Sequence, residues 1–513
     1  MLGPKPSASP LGDDPIVFLH STIFNSSVKF VKILSMHIEK LVPGGQGLTT
    51  LNDKENPAHG KKLFLWNVLP GEIIEDFELT KKKSSYLEGI ATKISSPSPR
   101  RTAPKDACFL STSPWQVLDY SYELEQKRLL VAESLRQEGI TPDLLEQHHL
   151  EISPVKTDGI EWHYRNKMEY ALYWDNSDEK IYLAFHARGS HKKIPLRPFL
   201  GGDGTSSLER PEIAEKALKI VQELNSKHAE ARTFQSLLLR TNQQGIVSGG
   251  LLENFKPHPS FPPLTDFILG RLYSYSPNGF FQINLPVYEL ALKEIKAALS
   301  TEKVLDLYSG VGSIGLSIAS DRNLTLVESN KAAFVELNRN CQLTTSLASG
   351  EVDTVSEELK YLFQATKENS RISREGHGRL RVSVEPEGRL ADRARVRLND
   401  EKNPTEFSLA RNKYSSSPKA YLAKSEDCLD FIEPDQTVIL DPPRAGCDKK
   451  LINRLLEIRP KTVIYLSCNP STQARDVRAL TETGIFKIQK ISPFNFFPKT
   501  PHIENLIILE SAR

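Results

Sequence analysis

Cys468 stands just past the C-terminal end of a continuous apolar run, Thr462 to Leu466, and is followed by Asn469-Pro470. A short apolar run of this kind is expected to be a buried strand, and the mouth of a parallel sheet is where α/β enzymes present reactive groups to a ligand. One strand-helix-strand unit upstream, Leu440-Asp441-Pro442-Pro443-Arg444 puts a carboxylate at a second strand end, and downstream His502-Ile503-Glu504 supplies another. Thiols and carboxylates are groups that bond to a substrate or exchange protons with it, and these three are expected to converge on one substrate. Taken singly, each also has a plain structural explanation. A free cysteine is often a small buried hydrophobe, Asp441 would serve as a helix cap, and Glu504 as an exposed strand residue.

A glycine-rich stretch adds a ligand. Tyr308-Ser309-Gly310-Val311-Gly312-Ser313-Ile314-Gly315 follows a predicted strand, Val304 to Tyr308, opens a helix and has G-x-G-x-x-G spacing. Glycines there let backbone approach a ligand and let the helix start close to the sheet. Glu328 ends the next predicted strand, Leu324 to Glu328, where it is placed to accept hydrogen bonds from ribose hydroxyls. That pairing fits NAD and S-adenosylmethionine alike. The rest of the sheet separates them, because a dehydrogenase has no need of a cysteine and a Pro-Pro turn at successive strand ends. Asp441-Pro442-Pro443 fixes backbone direction, since each proline locks φ and restricts the residue before it.

The elements that must position these residues are legible in outline. With 513 residues, 39% hydrophobic and 25% charged, the chain reads as two or three globular domains. A formal charge of +2 means that affinity for nucleic acid must come from local patches. Five scattered cysteines do not resemble a disulfide framework and favour a reducing compartment. Met1 to His20 lacks the apolar core of a secretory signal, and no run approaches the roughly 18 apolar residues of a membrane span, so a cytoplasmic protein without membrane contact is expected.

Residues 1–32 are expected to be disordered. From 33 to 98, short alternating segments broken by Gly and Pro suggest a small β-barrel, with Lys81-Lys82-Lys83 in a turn. A barrel with basic loops is compatible with single-stranded nucleic acid, although a solvated lysine run is commoner. Ser96-Pro97-Ser98-Pro99 marks a linker. Residues 99–269 read as an α+β central domain, with helices at Leu118 to Gly139 and Pro211 to about Phe234. In it, Tyr164-Arg165-Asn166-Lys167-Met168-Glu169-Tyr170 interleaves cations with aromatics, a composition that holds phosphate and stacks on bases, or else forms a half-buried strand with a basic face.

From 270 to 513, alternating strands and helices argue for a doubly wound parallel sheet, and Phe486 to Ile491 with Ile503 to Leu509 for a C-terminal antiparallel hairpin. A flexible surface insertion is expected at about 345–418, where Arg371 to Asp400 holds eight arginines.

Five segments in this order resemble the RNA uracil-5-methyltransferase family: Phe280-Phe281-Gln282-Ile283-Asn284, Leu305-Asp306-Leu307-Tyr308-Ser309-Gly310, Asp441-Pro442-Pro443-Arg444-Ala445-Gly446, Ser467-Cys468-Asn469-Pro470 and His502-Ile503-Glu504. Gly44-Gly45-Gln46-Gly47 and Leu69-Pro70-Gly71-Glu72 resemble the TRAM domain that many members carry, and Tyr164-Arg165-Asn166-Lys167 a segment of their central domain. The resemblance implies a Rossmann-like class I methyltransferase domain, S-adenosylmethionine as cofactor, and RNA, rRNA or tRNA, as substrate, with 5-methyluridine as product. It implies that Gln282, Tyr308, Glu328 and Asp441 contact S-adenosylmethionine. Arg165 and Lys167 become candidate RNA contacts, and nothing calls for an obligate protein partner.

It further implies that Cys468 is the nucleophile and Glu504 the proton acceptor. Uracil C5 is a poor nucleophile, but thiolate addition at C6 produces an enolate whose C5 attacks a methyl group. The C5 proton must then leave before the thiolate is expelled. A thiol near its free pKa of about 8.5 needs local activation.

The chain departs from the family at one place. Many relatives with this barrel hold an iron–sulfur cluster through four cysteines, three in a run before a Trp-Gln segment, whereas Leu110 to Pro114 precedes Trp115-Gln116 without one and only Cys108 is near. No cluster is expected. Two rival readings remain. RNA cytosine-5 methylation also uses C6 addition, but that family places a cysteine directly after the proline of its strand-four motif, where this chain has Pro443. A catalytically silent RNA-binding assembly factor would have no use for both Cys468 and Glu504.

Overall fold

The computed structural model describes residues 35–52, 58–197, 204–227, 234–252, 261–349 and 418–512. The expectations for 1–32 and for most of the insertion at 345–418 lie outside the described residues.

Residues 35–98 form a six-stranded mixed sheet from β1 (Met36–His37), β2 (Lys40–Leu41), β3 (Gly47–Thr50), β4 (Lys62–Trp66), β5 (Ile73–Lys82) and β6 (Tyr86–Ser96), in the order β1-β5-β6-β4-β3-β2. Its two outer strands are separated only by Ile38 and Glu39, so the sheet must bend back on itself. Glu39 N donates to Leu48 O and Ile38 N to Glu72 O across that junction. Ile38, Leu51, Leu63, Leu65 and Ile74 fill the interior.

The central unit is an antiparallel sheet of β7 (Lys167–Asp175), β8 (Lys180–His186), β9 (Lys193–Pro195), β10 (Ser236–Thr241) and β11 (Val247–Leu252), ordered β11-β10-β7-β8-β9. Helix Pro211–Ser226 covers one face, with Ile213, Ala217 and Leu224 against Tyr170, Leu183 and Leu237. This helix stops at Ser226, short of the expected Phe234.

After the hairpin β12 (Leu264–Ile268) and β13 (Arg271–Tyr275), the C-terminal sheet is built from β14 (Lys303–Leu307), β15 (Asn323–Glu328), β16 (Lys419–Leu422), β17 (Gln436–Leu440), β18 (Thr462–Ser467), β19 (Phe486–Phe494) and β20 (Glu504–Ser511). Its order is β16-β15-β14-β17-β18-β20-β19. The first five strands are parallel, and β20 runs antiparallel to both β18 and β19. β17 and β18 are buried at every position because both faces are covered, which is why they read as unbroken apolar runs. On one face Val304, Ile439, Ile464 and Leu506 meet helix Leu285–Ala297. On the other, Leu305, Val438, Val463 and Ile507 meet Leu451 and Val477 of helices Lys449–Ile458 and Pro470–Thr481.

Helix Tyr120–Gln137 is capped by Asp119, which accepts from Tyr122 N, and Gly139 beyond it has φ +81°. Its Val131 and Leu135 enter that second face of the C-terminal core, so a helix placed in the central domain by sequence packs on the C-terminal sheet. Segment 152–156 follows it along the edge of β19, with Ser153 N donating to Ile491 O and Lys156 N to Pro493 O. No helix among the described residues is long and apolar enough to cross a membrane.

Candidate active site

The C-terminal ends of β14, β15, β17 and β18 open into a cavity of about 1670 Å³. Gln282, Tyr308, Glu328, Asp441, Cys468, Glu504 and Arg165 all line it, and Lys167 alone of the eight expected site residues does not.

The glycine loop crosses the floor. Tyr308, Gly310 and Gly312 have φ of 63°, 58° and 85°, a run of left-handed backbone that turns the chain sharply after β14. Ser309 ties the turn to the neighbouring strand, its Oγ accepting from Val327 N at 3.0 Å and donating to Asp306 O at 2.7 Å. A Cβ on Gly312 would lie 2.6 Å from Leu337, and one on Gly315 would lie 2.7 Å from Asp306 Oδ2, so both glycines allow close packing. Gly315 N donates to that same oxygen at 2.9 Å.

Glu328 is 9% exposed. Its Oε2 accepts from Gly310 N at 2.8 Å and its Oε1 from Asn330 N at 2.5 Å. A carboxylate has about four acceptor sites, so two remain for hydroxyl donors entering the cavity. The left-handed glycine turn and this half-used carboxylate fit an adenosine-type ligand such as S-adenosylmethionine.

Residues 278–282, which carry Gln282, are clamped from the central unit. Asn166 Nδ2 donates to Gln282 O at 3.0 Å, and Lys167 Nζ to the carbonyls of Asn278 and Gly279 at 3.1 and 3.2 Å. Buried Arg240 donates to Gly279 O at 3.1 Å and Phe281 O at 2.5 Å. Lys167, expected as an RNA contact, therefore spends its ammonium on backbone carbonyls, and burial lowers its pKa to about 8. Sequence reasoning missed this clamp, because Arg240 sits in an apolar strand with no local signal of its target. Arg165 faces the cavity, with its Nε buried and without a hydrogen-bond partner.

Cys468 sits where β18 gives way to helix Pro470–Thr481, with Asn469 as the cap accepting from Ser471 N and Pro470 in the first turn. The adjoining Pro-Pro turn is held by that helix. Asn469 Nδ2 and Thr472 Oγ1 donate to Arg444 O at 2.8 and 3.1 Å, and Asp476 Oδ2 accepts from Cys447 N at 2.8 Å and Tyr465 OH at 2.9 Å.

The electrostatics of the site are those of crowded acids. Burial, followed by the charges of Glu504 and Asp441, pushes the Cys468 thiol up to about 11, while Arg444 opposes them. Burial raises Asp441 to about 7. Glu504, 5% exposed, is held well above the usual carboxyl range by burial and then by Asp441, again against Arg444. Arg444 Nη2 also lies 3.2 Å from His502 Nδ1, whose pKa falls to about 4, first through burial and then through that guanidinium. Arg444 and His502 stand within motifs legible in the sequence, but their pairing across the cavity was not.

Near Trp115, buried Gln116 accepts from Lys105 N and Asp106 N through Oε1 and donates to Asp106 Oδ2 and Ser113 Oγ through Nε2. Cys108 is buried, and burial followed by the Asp106 charge pushes its thiol up to about 12. Among the described residues no group of three or more His, Cys, Asp or Glu is arranged to hold a metal ion.

Residues 428–512, which contain Cys468 and Glu504, match the family described as tRNA (uracil-5-)-methyltransferase. An uncharacterized RNA methyltransferase of Enterococcus faecalis is 24% identical, over 95% of this chain and 99% of its own. One from Synechocystis is 23% identical, over 94% and 96%. Among solved structures, the tRNA (uracil-54, C5)-methyltransferase of Pyrococcus abyssi, in complex with S-adenosyl-L-homocysteine, superposes with a TM-score of 0.58 at 20% identity, covering 93% of this chain and 99% of that one. That likeness carries the α/β methyltransferase fold. The match over residues 428–512 takes in Cys468 and Glu504, and the resemblance of the chain to the S-adenosylmethionine-dependent RNA uracil-5-methyltransferase family holds.

Proposed function

We propose that this protein methylates C5 of a uridine in rRNA or tRNA in the cytoplasm, with Cys468 as covalent nucleophile and Glu504 as acceptor of the C5 proton. The observation that carries the reading is the meeting of Cys468, Glu504 and Asp441 with the glycine loop and Glu328 in one cavity. When bound, S-adenosylmethionine supplies the methyl group together with a positive charge. Gln282, Tyr308, Glu328 and Asp441 would hold it.

The Cys468 thiolate bonds to C6 and makes C5 nucleophilic. Arg444 favours the thiolate against the neighbouring carboxylates. Once C5 carries the methyl group, the ionised form of Glu504, which Arg444 favours, takes its proton, the C5–C6 double bond re-forms and the C6–S bond breaks. Cys447 also lines the cavity, but it is buried where Cys468 is partly exposed.

In this reading residues 33–98 are a TRAM-like barrel, 99–269 the RNA-binding unit and 270–513 the methyltransferase domain with its C-terminal antiparallel pair. Arg165 reaches the RNA and Lys167 shapes the 278–282 loop. No iron–sulfur cluster is required, since Cys108 is a single thiol beside the Gln116 and Asp106 network. Colourless, iron-free and active protein is the expected preparation.

RNA carrying 5-fluorouridine tests the reading, because fluorine does not leave as a proton and the adduct persists. The unaltered chain should form a denaturation-resistant protein–RNA complex and Cys468→Ala none. Trapping by Cys468→Ala would refute the nucleophile assignment.

A further inference from the structure

The N-terminal sheet touches the loop that leads into Glu504. Between β2 and β3, the Val42–Gln46 turn closes with Val42 N donating to Gln46 O and Gly45 N to Val42 O. A Cβ on Gly45 would lie 2.2 Å from Pro501 Cβ and 2.6 Å from Pro501 Cγ, so only glycine lets the turn rest on that proline, which directly precedes His502. Gly45 O accepts from Trp115 Nε1 at 3.0 Å, and Trp115 N donates to Lys499 O at 3.1 Å.

Lys499 is itself pinned, with φ 63°. Its amide donates to Glu123 Oε1 at 3.0 Å and its ammonium pairs with Glu161 at 2.6 Å. Thr500 Oγ1 donates to Phe497 O at 2.8 Å and accepts from His502 N at 3.3 Å. Residues 495–503 contain neither helix nor strand, so contacts made by other parts of the chain set their position.

We propose that the Val42–Gln46 turn, through Gly45, and Trp115 are positioning elements for Glu504, so that the N-terminal sheet is a structural part of the proton-removal step as well as a candidate RNA contact. This rests on the reading of Glu504 as the C5-proton acceptor. Removal of that proton requires the carboxylate within hydrogen-bond reach of C5, and a displacement of ~1 Å costs on the order of 10²-fold in rate. If the step slows, the methylated base stays bonded to Cys468, because the C6–S bond breaks only as the C5 proton leaves.

The glycine pair provides a matched test. Gly44 and Gly45 have φ of +100° and +93°, so an alanine strains both, but nothing lies within 4 Å of a Cβ on Gly44. The full chain, S-adenosylmethionine and ordinary uridine-containing RNA should give accumulated covalent protein–RNA adduct with Gly45→Ala. Its kcat should fall roughly 10- to 100-fold, with kcat/KM for RNA within about twofold of the unaltered chain, because the slowed step follows methyl transfer. Gly44→Ala should show neither effect.

Equal behaviour of the two variants, or a change in KM alone, overturns the proposal. If Gly45→Ala does not fold, Trp115→Phe keeps an aromatic side chain and removes the donor to Gly45 O, and absence of adduct in that variant is equally fatal. Failure of the unaltered chain to methylate RNA or to be trapped by 5-fluorouridine would instead overturn the catalytic reading, and this inference with it.

Discussion

Arg444 and His502 meet across the cavity, Nη2 to Nδ1 at 3.2 Å, and the same guanidinium opposes the rise in the pKa of the Cys468 thiol. The turn after β17 and the loop before β20 are thereby joined in the cavity that Cys468 also lines. Arg444 also opposes the rise in the pKa of Glu504. It is a cation that offsets part of the effect of burial on Cys468 and Glu504.

Removing Arg444 should therefore raise the Cys468 pKa further above about 11. Arg444→Ala is expected to slow 5-fluorouridine trapping at neutral pH by roughly tenfold or more and to move its pH profile upward, since the thiolate is the attacking form. Arg444→Lys should restore part of the rate. Rapid-quench trapping across pH checks this, and an unshifted profile for Arg444→Ala would remove the guanidinium from the activation of the thiol.

Asp441 links cofactor charge to pH. Its pKa is raised to about 7, so it binds a proton over the range where an ordinary aspartic acid is ionised. A bound cation favours the ionised form, so preference for S-adenosylmethionine over neutral-sulfur S-adenosylhomocysteine should increase as pH rises from ~6 to ~8. Below that window the protonated acid offers no charge. Calorimetric affinities for both ligands should show the ratio growing with pH in the parent and staying flat in Asp441→Asn.

Glu504→Gln separates the two halves of the reaction. An amide cannot take the C5 proton, yet it keeps the shape of the side chain. Methyl transfer to RNA should proceed once per enzyme and leave the product bonded to Cys468, visible as an adduct of denatured protein and radiolabelled RNA. Continued turnover by Glu504→Gln would assign the proton to another group.

Gly315 tests the packing beneath the glycine loop. A Cβ there would lie 2.7 Å from Asp306 Oδ2 and 2.8 Å from Leu326 Cδ2, in a core that cannot relax far. Gly315→Ala should destabilise the protein by about 1–3 kcal/mol, read as a lowered denaturation midpoint. An unchanged midpoint would show that the short helix Gly315–Ile318 is free to shift.

Much of the site was legible because its signals are local. Apolar runs marked β14, β17 and β18, and the turn chemistry after each marked where Tyr308, Asp441 and Cys468 would stand. The antiparallel pair β19 and β20 is longer than its apolar patterning suggested, because Ser492, Pro493 and Phe494 continue the ladder to Asn505 and Glu504. The role of Lys167 was not legible. A lysine between aromatic and polar neighbours looks the same whether its ammonium meets a phosphate or, as here, the carbonyls of Asn278 and Gly279.

Order and spacing along the chain determined the reactive groups, the glycine loop and the parallel sheet that gathers them, because strand periodicity and turn residues act over a few positions. Tertiary structure decided how those groups are charged and held. Lys127 donates to Asn495 across 368 residues of chain, Arg444 meets His502, and Gly45 rests on Pro501. Such contacts come from the packing of separate units against one another, and burial in that packing moves the pKa values of Asp441, Cys468 and Glu504.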